Sequence, residues 1–216
     1  MDRFPYAVPP CLSGQAPRWR PRRLAGIVGL CWLTSACSPA LNWREVNPAQ
    51  ADGLQALFPC KPDAHERRIP WPGLPDGVTM RMLSCQTDGA TWALSYVSLP
   101  DVTLVAPALN ELTVMMRRNL GAAAQMAGSA SSVAEQDLGP IAVPRMTPLA
   151  QAHGWRFQAQ RPDGWGRPMD MDIRSWHFSH GLTVFQASVW RPDEQTRGQS
   201  SEDVADAFFR GLHFPN

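Results

Sequence analysis

Val78-Thr79-Met80-Arg81-Met82-Leu83-Ser84-Cys85-Gln86-Thr87-Asp88-Gly89-Ala90-Thr91-Trp92-Ala93-Leu94-Ser95-Tyr96 is the stretch that sets the fold class of this 216-residue chain. Val78, Met80 and Met82 alternate with Thr79, Arg81 and Leu83, which is the period of a strand. Trp92, Leu94 and Tyr96 repeat that period after Thr87-Asp88-Gly89. Asp-Gly supplies the positive φ angles a tight hairpin needs, so the two runs should pair antiparallel. Each strand offers one apolar face, and the expected sheet is half-buried.

Working outward, the period changes after Pro100. Leu109, Leu112, Met116 and Leu120 fall at helical spacing, which predicts a helix over about 106–120. Pro107 suits its first turn, Gly121 should end it, and 121–131 reads as a loose Ala/Gly/Ser segment. A short strand is expected from Ser132 to Leu138, stopped by Gly139-Pro140. A second β block follows: Trp155, Phe157 and Ala159, a turn at 161–164, then Met169, Met171 and Ile173. A turn at His180-Gly181 leads to Thr183, Phe185, Ala187 and Val189. The closing helix should start at Ser200 or Ser201, with Asp203 in a capping box, Val204, Ala207 and Phe208 as its stripe and Gly211 as its C-cap. On the other side, His65 to Pro70 reads as an edge strand, and Trp71 to Gly77 as a turn cluster. Leu54 to Phe58 is ambiguous between helix and strand, and Trp43 to Val46 reads as a first short strand.

The order strands, helix, strands, helix predicts an α+β domain: a single antiparallel sheet packed with a central and a C-terminal helix. Phe58-Pro59-Cys60-Lys61-Pro62, the hairpin carrying Trp92 to Ser98, the central helix, the β-meander and the terminal Phe208-Phe209-Arg210-Gly211-Leu212 together resemble the PsbP-like fold. More closely, they resemble small bacterial lipoproteins of that superfamily, over about residues 50–216. The resemblance implies a sandwich scaffold and an accessory or assembly role. It transfers no catalytic residue.

Residues 1–36 read as a leader. Arg22-Arg23 opens an apolar run, Leu24 to Ala36, that is too short to cross a bilayer but matches the core of a secretory signal. Leu33-Thr34-Ser35-Ala36-Cys37 resembles the bacterial lipobox, with Thr34 where Leu is usual. The resemblance implies cleavage after Ala36 and lipidation of Cys37 by diacylglycerol and an amide-linked acyl chain such as palmitate. Two or three chains hold a protein on a membrane effectively permanently. Ser38 after the Cys implies the outer membrane, with the protein facing the periplasm. The expected organisation is a signal peptide over 1–36, a lipidated tether over 37–50 and an α+β domain over 51–216. An ordinary signal that leaves Cys37 a free thiol is the alternative.

Removing 1–36 leaves fifteen of the twenty basic residues and eighteen of the nineteen acidic ones, a formal charge of −3. No basic patch survives, so nucleic acid is not an expected partner. Seven of nine tryptophans remain, enough for a sizeable aromatic core. Cys60 and Cys85 are the remaining cysteine pair, each beside a turn signal, and an exported protein would bridge them. Two buried free thiols are the alternative.

The chemistry-bearing residues are few. There is no nucleophile elbow, phosphate loop, zinc-protease motif or dinucleotide fingerprint. No catalytic residue, metal site or cofactor is therefore assigned. His177 and His180 could ligate one metal only if the turn began at Ser179; His177, in phase with Met171 and Ile173, reads as a partly buried structural imidazole. Asp170, Asp172 and Arg174 read as a solvated ion-pair row on a sheet face. Trp165, between Gly164 and Gly166, reads as a loop-tip aromatic that either contacts a partner or packs inward. Three functions stay open: a lipid-anchored accessory module binding envelope components, a periplasmic small-ligand or metal binder using a pocket between sheet and helix, and a hydrolase.

Overall fold

The computed structural model describes residues 41–128, 133–193 and 199–215. The segment expected to be a signal peptide, with Ala36, Cys37 and the start of the expected tether, lies outside the described residues, as do 129–132. Nine strands and two α-helices occur among the described residues, in the order β1 (Arg44–Val46), β2 (Ala56–Phe58), β3 (Asp63–Trp71), β4 (Leu74–Thr87), β5 (Ala90–Ser98), α1 (Val105–Met126), β6 (Ala134–Pro140), β7 (His153–Pro162), β8 (Pro168–His180), β9 (Thr183–Pro192) and α2 (Gln199–Arg210). Strands β3 to β9 form one antiparallel sheet in the order β3-β4-β5-β9-β8-β7-β6, and β1 pairs with β2 separately. The fold is α+β, with much more strand than helix.

The quoted hairpin forms as its sequence requires. Thr87 pairs with Ala90, and Asp88 and Gly89 take φ of 50° and 67° in the turn. The half-buried sheet, however, is corrected. In β5, Trp92, Leu94 and Tyr96 face one layer, while Ala93 and Val97 are buried against the other. Strands β8 and β9 are likewise covered on both faces. Helix α1 covers one face, with Val105, Leu109 and Leu112 against Ile69, Val97 and Val184, and Met116 and Leu120 against Phe157 and Ile173. Helix α2, β1–β2 and the C-terminal residues cover the other. There Phe208 meets Phe58 at 5.3 Å and Trp92 at 5.5 Å between ring centroids, and Phe178 stacks on Phe185 at 5.1 Å. Each such fully buried aromatic removes enough apolar surface from water to stabilise the fold by about 2–3 kcal/mol.

Several boundaries move for identifiable reasons. The turn between β3 and β4 occupies only Pro72-Gly73; Pro75, Asp76 and Gly77 belong to β4, where the ladder slips between Ile69 and Trp71. Gly77 is required there, because a Cβ on it would lie 2.2 Å from the Ile69 carbonyl oxygen. Helix α1 does not stop at Gly121 but runs to Met126. Ala122, Ala123 and Ala124 are strong helix formers and Ala124 is buried, which offsets the roughly 1 kcal/mol an interior glycine costs. A 3-10 turn, Val102–Leu104, leads into it and is capped by Asp101, whose carboxylate accepts the Thr103 N–H (2.7 Å) and hydroxyl (2.6 Å). In α2 the buried stripe is Ala205, Phe208 and Phe209, with Ala207 only half-buried. Gly211 caps α2 through close approach to β2: an added Cβ would lie 2.5 Å from the Leu57 Cβ.

Cys60 and Cys85 are bridged, with Cα atoms 6.0 Å apart and a sequence separation of 25. The bond fastens the chain after β2 to β4, one strand in from the sheet edge. On the chain-entropy account, replacing both cysteines with serine should lower unfolding stability by about 3 kcal/mol. Urea denaturation of the double variant and of reduced wild type should give matching losses; an unchanged midpoint would show that the crosslink constrains nothing.

Candidate functional site: a methionine-lined groove beside the long helix

Antiparallel register decides which side chains meet on the α1 face. His65 on β3 stands opposite Met82 on β4, Met82 opposite Ser95 on β5, Ser95 opposite Gln186 on β9, and Gln186 opposite His177 on β8. The neighbouring row on this face is Ser84, Ala93, Ser188 and Ser175. Helix α1 crosses the β7–β9 half of these rows and leaves the β3–β5 half as the floor of a groove of about 460 Å³. Met115, Met116 and Asn119 of α1 form one wall, Met80 and Met82 the opposite side, and Trp190 closes one end.

The groove combines an apolar lining with a few fixed polar groups. Four methionines and Trp190 supply the apolar surface. Methionine, unbranched and polarizable, adapts to ligands of differing shape. Met82 is 36 % exposed, so the groove is open to solvent. The Trp190 indole N–H donates to Ser188 Oγ at 2.9 Å, which fixes the ring. Trp190, Asn119 and Arg161 also line a smaller cavity of about 200 Å³, floored by Leu120, Ala159 and Met171, so the two spaces meet at the tryptophan.

Beneath α1 a buried polar seam adjoins the groove. His177 is wholly buried rather than partly so. Its Nδ1 lies 3.0 Å from Thr113 Oγ1 of α1, and its Nε2 lies 3.0 Å from Ser175 Oγ and 3.2 Å from the Gln186 amide nitrogen. The amide nitrogen can only donate, so Nε2 accepts, and Nδ1–H donates to Thr113. Burial alone pushes the His177 pKa down to about 3. The imidazole is therefore neutral and joins α1 to the sheet, with Gln186 carrying the seam to the groove wall.

The residues singled out in the sequence do not converge. His177 faces α1, whereas His180 stacks on Phe214 at 4.0 Å and has its Nδ1 2.8 Å from the Arg145 carbonyl oxygen. Asp170, Asp172 and Arg174 are not a solvated row. Asp172 is buried and accepts from Arg156 Nε at 2.6 Å, Asp170 is exposed and accepts from Gln160 at 2.7 Å, and Arg174 pairs with Asp206 of α2 at 2.7 Å. Among the described residues, no three His, Cys, Asp or Glu side chains gather as a metal site. Met80, Met82 and Met116 looked like ordinary core positions in sequence; Met115, Trp190 and Gln186 carried no signal at all. Two methionines alternating on β4 and two adjacent on α1 were the available hint, but only the register brings them together.

His177 predicts a pH dependence. Its folded pKa lies below that of the unfolded chain, so between about 6.5 and 3 the unfolded state binds a proton that the folded state refuses. Stability contributed by the neutral ring is complete above pH 6.5 and falls as pH drops, by up to about 1.4 kcal/mol per unit. His177→Gln should flatten this slope relative to wild type in urea titrations from pH 6.5 to 4.5. Parallel slopes would show that the ring is not buried neutral.

No known protein family matches this chain, and no curated protein matches its sequence.

Proposed function

We propose that this chain is an exported, lipid-anchored binding module of the cell envelope, facing the periplasm, and that the groove beside α1 receives a small, predominantly apolar molecule. The anchor reading rests on the basic leader, the short apolar run and the small residues before Cys37. The Cys60–Cys85 bridge fits an oxidising compartment. The order of strands and helices suits a PsbP-like scaffold, whose accessory roles fit a binding module.

The groove carries the ligand reading. Its volume of about 460 Å³ falls in the range of small-molecule sites, which are apolar with a few convergent polar groups. Gln186, Ser188, Ser84 and Ser95 supply neutral polar groups beside the methionine and tryptophan lining, and Glu66, Arg67 and Arg161 bring charge to it. A flexible hydrocarbon with one hydrogen-bonding end matches both parts.

The mature protein should bind the apolar fluorophore N-phenyl-1-naphthylamine with energy transfer from Trp190. Met82→Glu places a charge on the groove wall and should weaken binding about tenfold or more, with an unchanged circular dichroism spectrum. Equal affinity in the variant would remove the groove from consideration. Separately, Cys37→Ser should abolish palmitate labelling and move most of the protein from the membrane to the soluble fraction; membrane association kept at the wild-type level with no label would overturn the anchor.

A further inference from the structure

Trp165 is 85 % exposed, the most exposed of the large hydrophobic side chains described. It stands at the tip of the β7–β8 hairpin, on a turn built to hold its shape. Asp163 Oδ1 accepts the N–H groups of Trp165 (2.8 Å) and Arg167 (2.9 Å), and Oδ2 pairs with the Arg167 guanidinium at 2.9 Å. The Asp163 N–H donates to the Arg167 carbonyl (2.8 Å), and the Gly166 N–H donates to the Asp163 carbonyl (3.1 Å). The Asp163 carboxylate, held below the usual range mainly by the Arg167 backbone N–H, is thus engaged within the turn and matched by Arg167. An aromatic ring is presented outward on a preorganised, charge-balanced loop.

The ladder shows which end of the sheet carries this tip. Cys85 pairs with Trp92, Trp92 with Val189 and Val189 with Arg174. The hairpin continues from Arg174 to Pro168, six residues and about 20 Å farther. The described chain enters at this row: Trp43 meets the Trp92 ring at 6.4 Å, and the Asn42 N–H donates to the Pro59 carbonyl beside Cys60. From Ala49, whose carbonyl accepts the Tyr96 hydroxyl, to Pro59 the β1–β2 layer runs toward the hairpin tips. Leu41 is only four residues after Cys37, a reach of at most about 14 Å.

We propose that the Trp165 turn is a second membrane contact, inserting its indole into the interfacial layer of the bilayer to which Cys37 is attached. This rests on the anchor reading above. Indole is the side chain best suited to that layer, with an apolar body and an N–H for the headgroups. One such contact is weak alone, but an acyl anchor in the same chain raises its effective concentration and makes it intramolecular. The two contacts together fix how the domain stands on the membrane, which one flexible tether cannot do.

The test uses full-length lipidated protein in phosphatidylethanolamine/phosphatidylglycerol vesicles. A nitrobenzoxadiazole label at Trp165→Cys should show blue-shifted emission quenched by brominated lipid. The same label at Leu182→Cys, an exposed turn at the opposite end of the sheet, should report water. Unlipidated Cys37→Ser protein should cosediment weakly with the same vesicles, and Trp165→Ala should reduce that binding about tenfold. Water-like emission at 165 overturns the proposal, as does cosedimentation insensitive to Trp165→Ala or shielding of the label only when envelope proteins are present. Palmitate labelling of Cys37 reports the anchor independently, so its absence with Trp165-dependent cosedimentation would refute the anchor and leave the contact standing.

Discussion

Strands β5, β9 and β8 lie in the middle of the sheet and are buried on both faces, and this double burial is the constraint around which the molecule is arranged. A sheet with one wet face needs apolar residues at alternate positions. These strands need suitable neighbours at every position, and two separate layers must be supplied. The α1 layer comes from the crossover between β5 and β6. The second layer is assembled from both ends of the described fold: β1 and β2 before the sheet begins, α2 and Phe214 after it ends. The Cys60–Cys85 bridge fastens the first of these to the sheet, and the Phe58–Phe208 contact joins it to the second. The aromatic face therefore depends on closure of distant segments.

The α1 face is built differently. Its apolar contacts fall into two clusters, one around Leu109 and Leu112 and one around Met116 and Leu120. Between them runs the seam of Thr113, His177, Ser175 and Gln186. A buried polar row gives less burial energy than leucine would, and it is tolerable only because each member finds a partner. What it contributes is position, since the hydrogen bond from His177 to Thr113 sets where α1 lies on the sheet. The groove exists because α1, so held, leaves the β3–β5 side of the rows uncovered. The Arg117–Glu135 ion pair fastens α1 to edge strand β6 on the other side.

The two ends of the sheet are also unequal. One ends in the short turn at Gly181-Leu182, beside the His180–Phe214 stack and the Arg145 loop. The other carries the long β7–β8 hairpin, the incoming chain and the disulfide. The last residues of β7 before its turn, Arg161 and Pro162, line the smaller cavity that meets the groove at Trp190. The proposed ligand site and the proposed membrane contact thus share one structural element.

Periodicity and turn chemistry made much of the fold legible. Strand alternation located β4, β5 and β7 to β9, Asp88-Gly89 located their first hairpin, and the apolar stripe of α1 was evident, because these are local properties of consecutive residues. The Cys60–Cys85 pair was likewise readable from its number and its neighbouring turn signals. Local signals misplaced what neighbours decide. Gly121 reads as a stop, but burial of Ala124 carries the helix past it; Gly77 reads as a turn, but it lies in a strand pressed against Ile69. The site was legible only in fragments. His65, Met82, Ser95, Gln186 and His177 come from five strands, and nothing within any one strand states which residue will stand opposite another. Register, and the angle at which a helix crosses it, follow from how all the layers close together, and so the groove was decided by the tertiary structure alone.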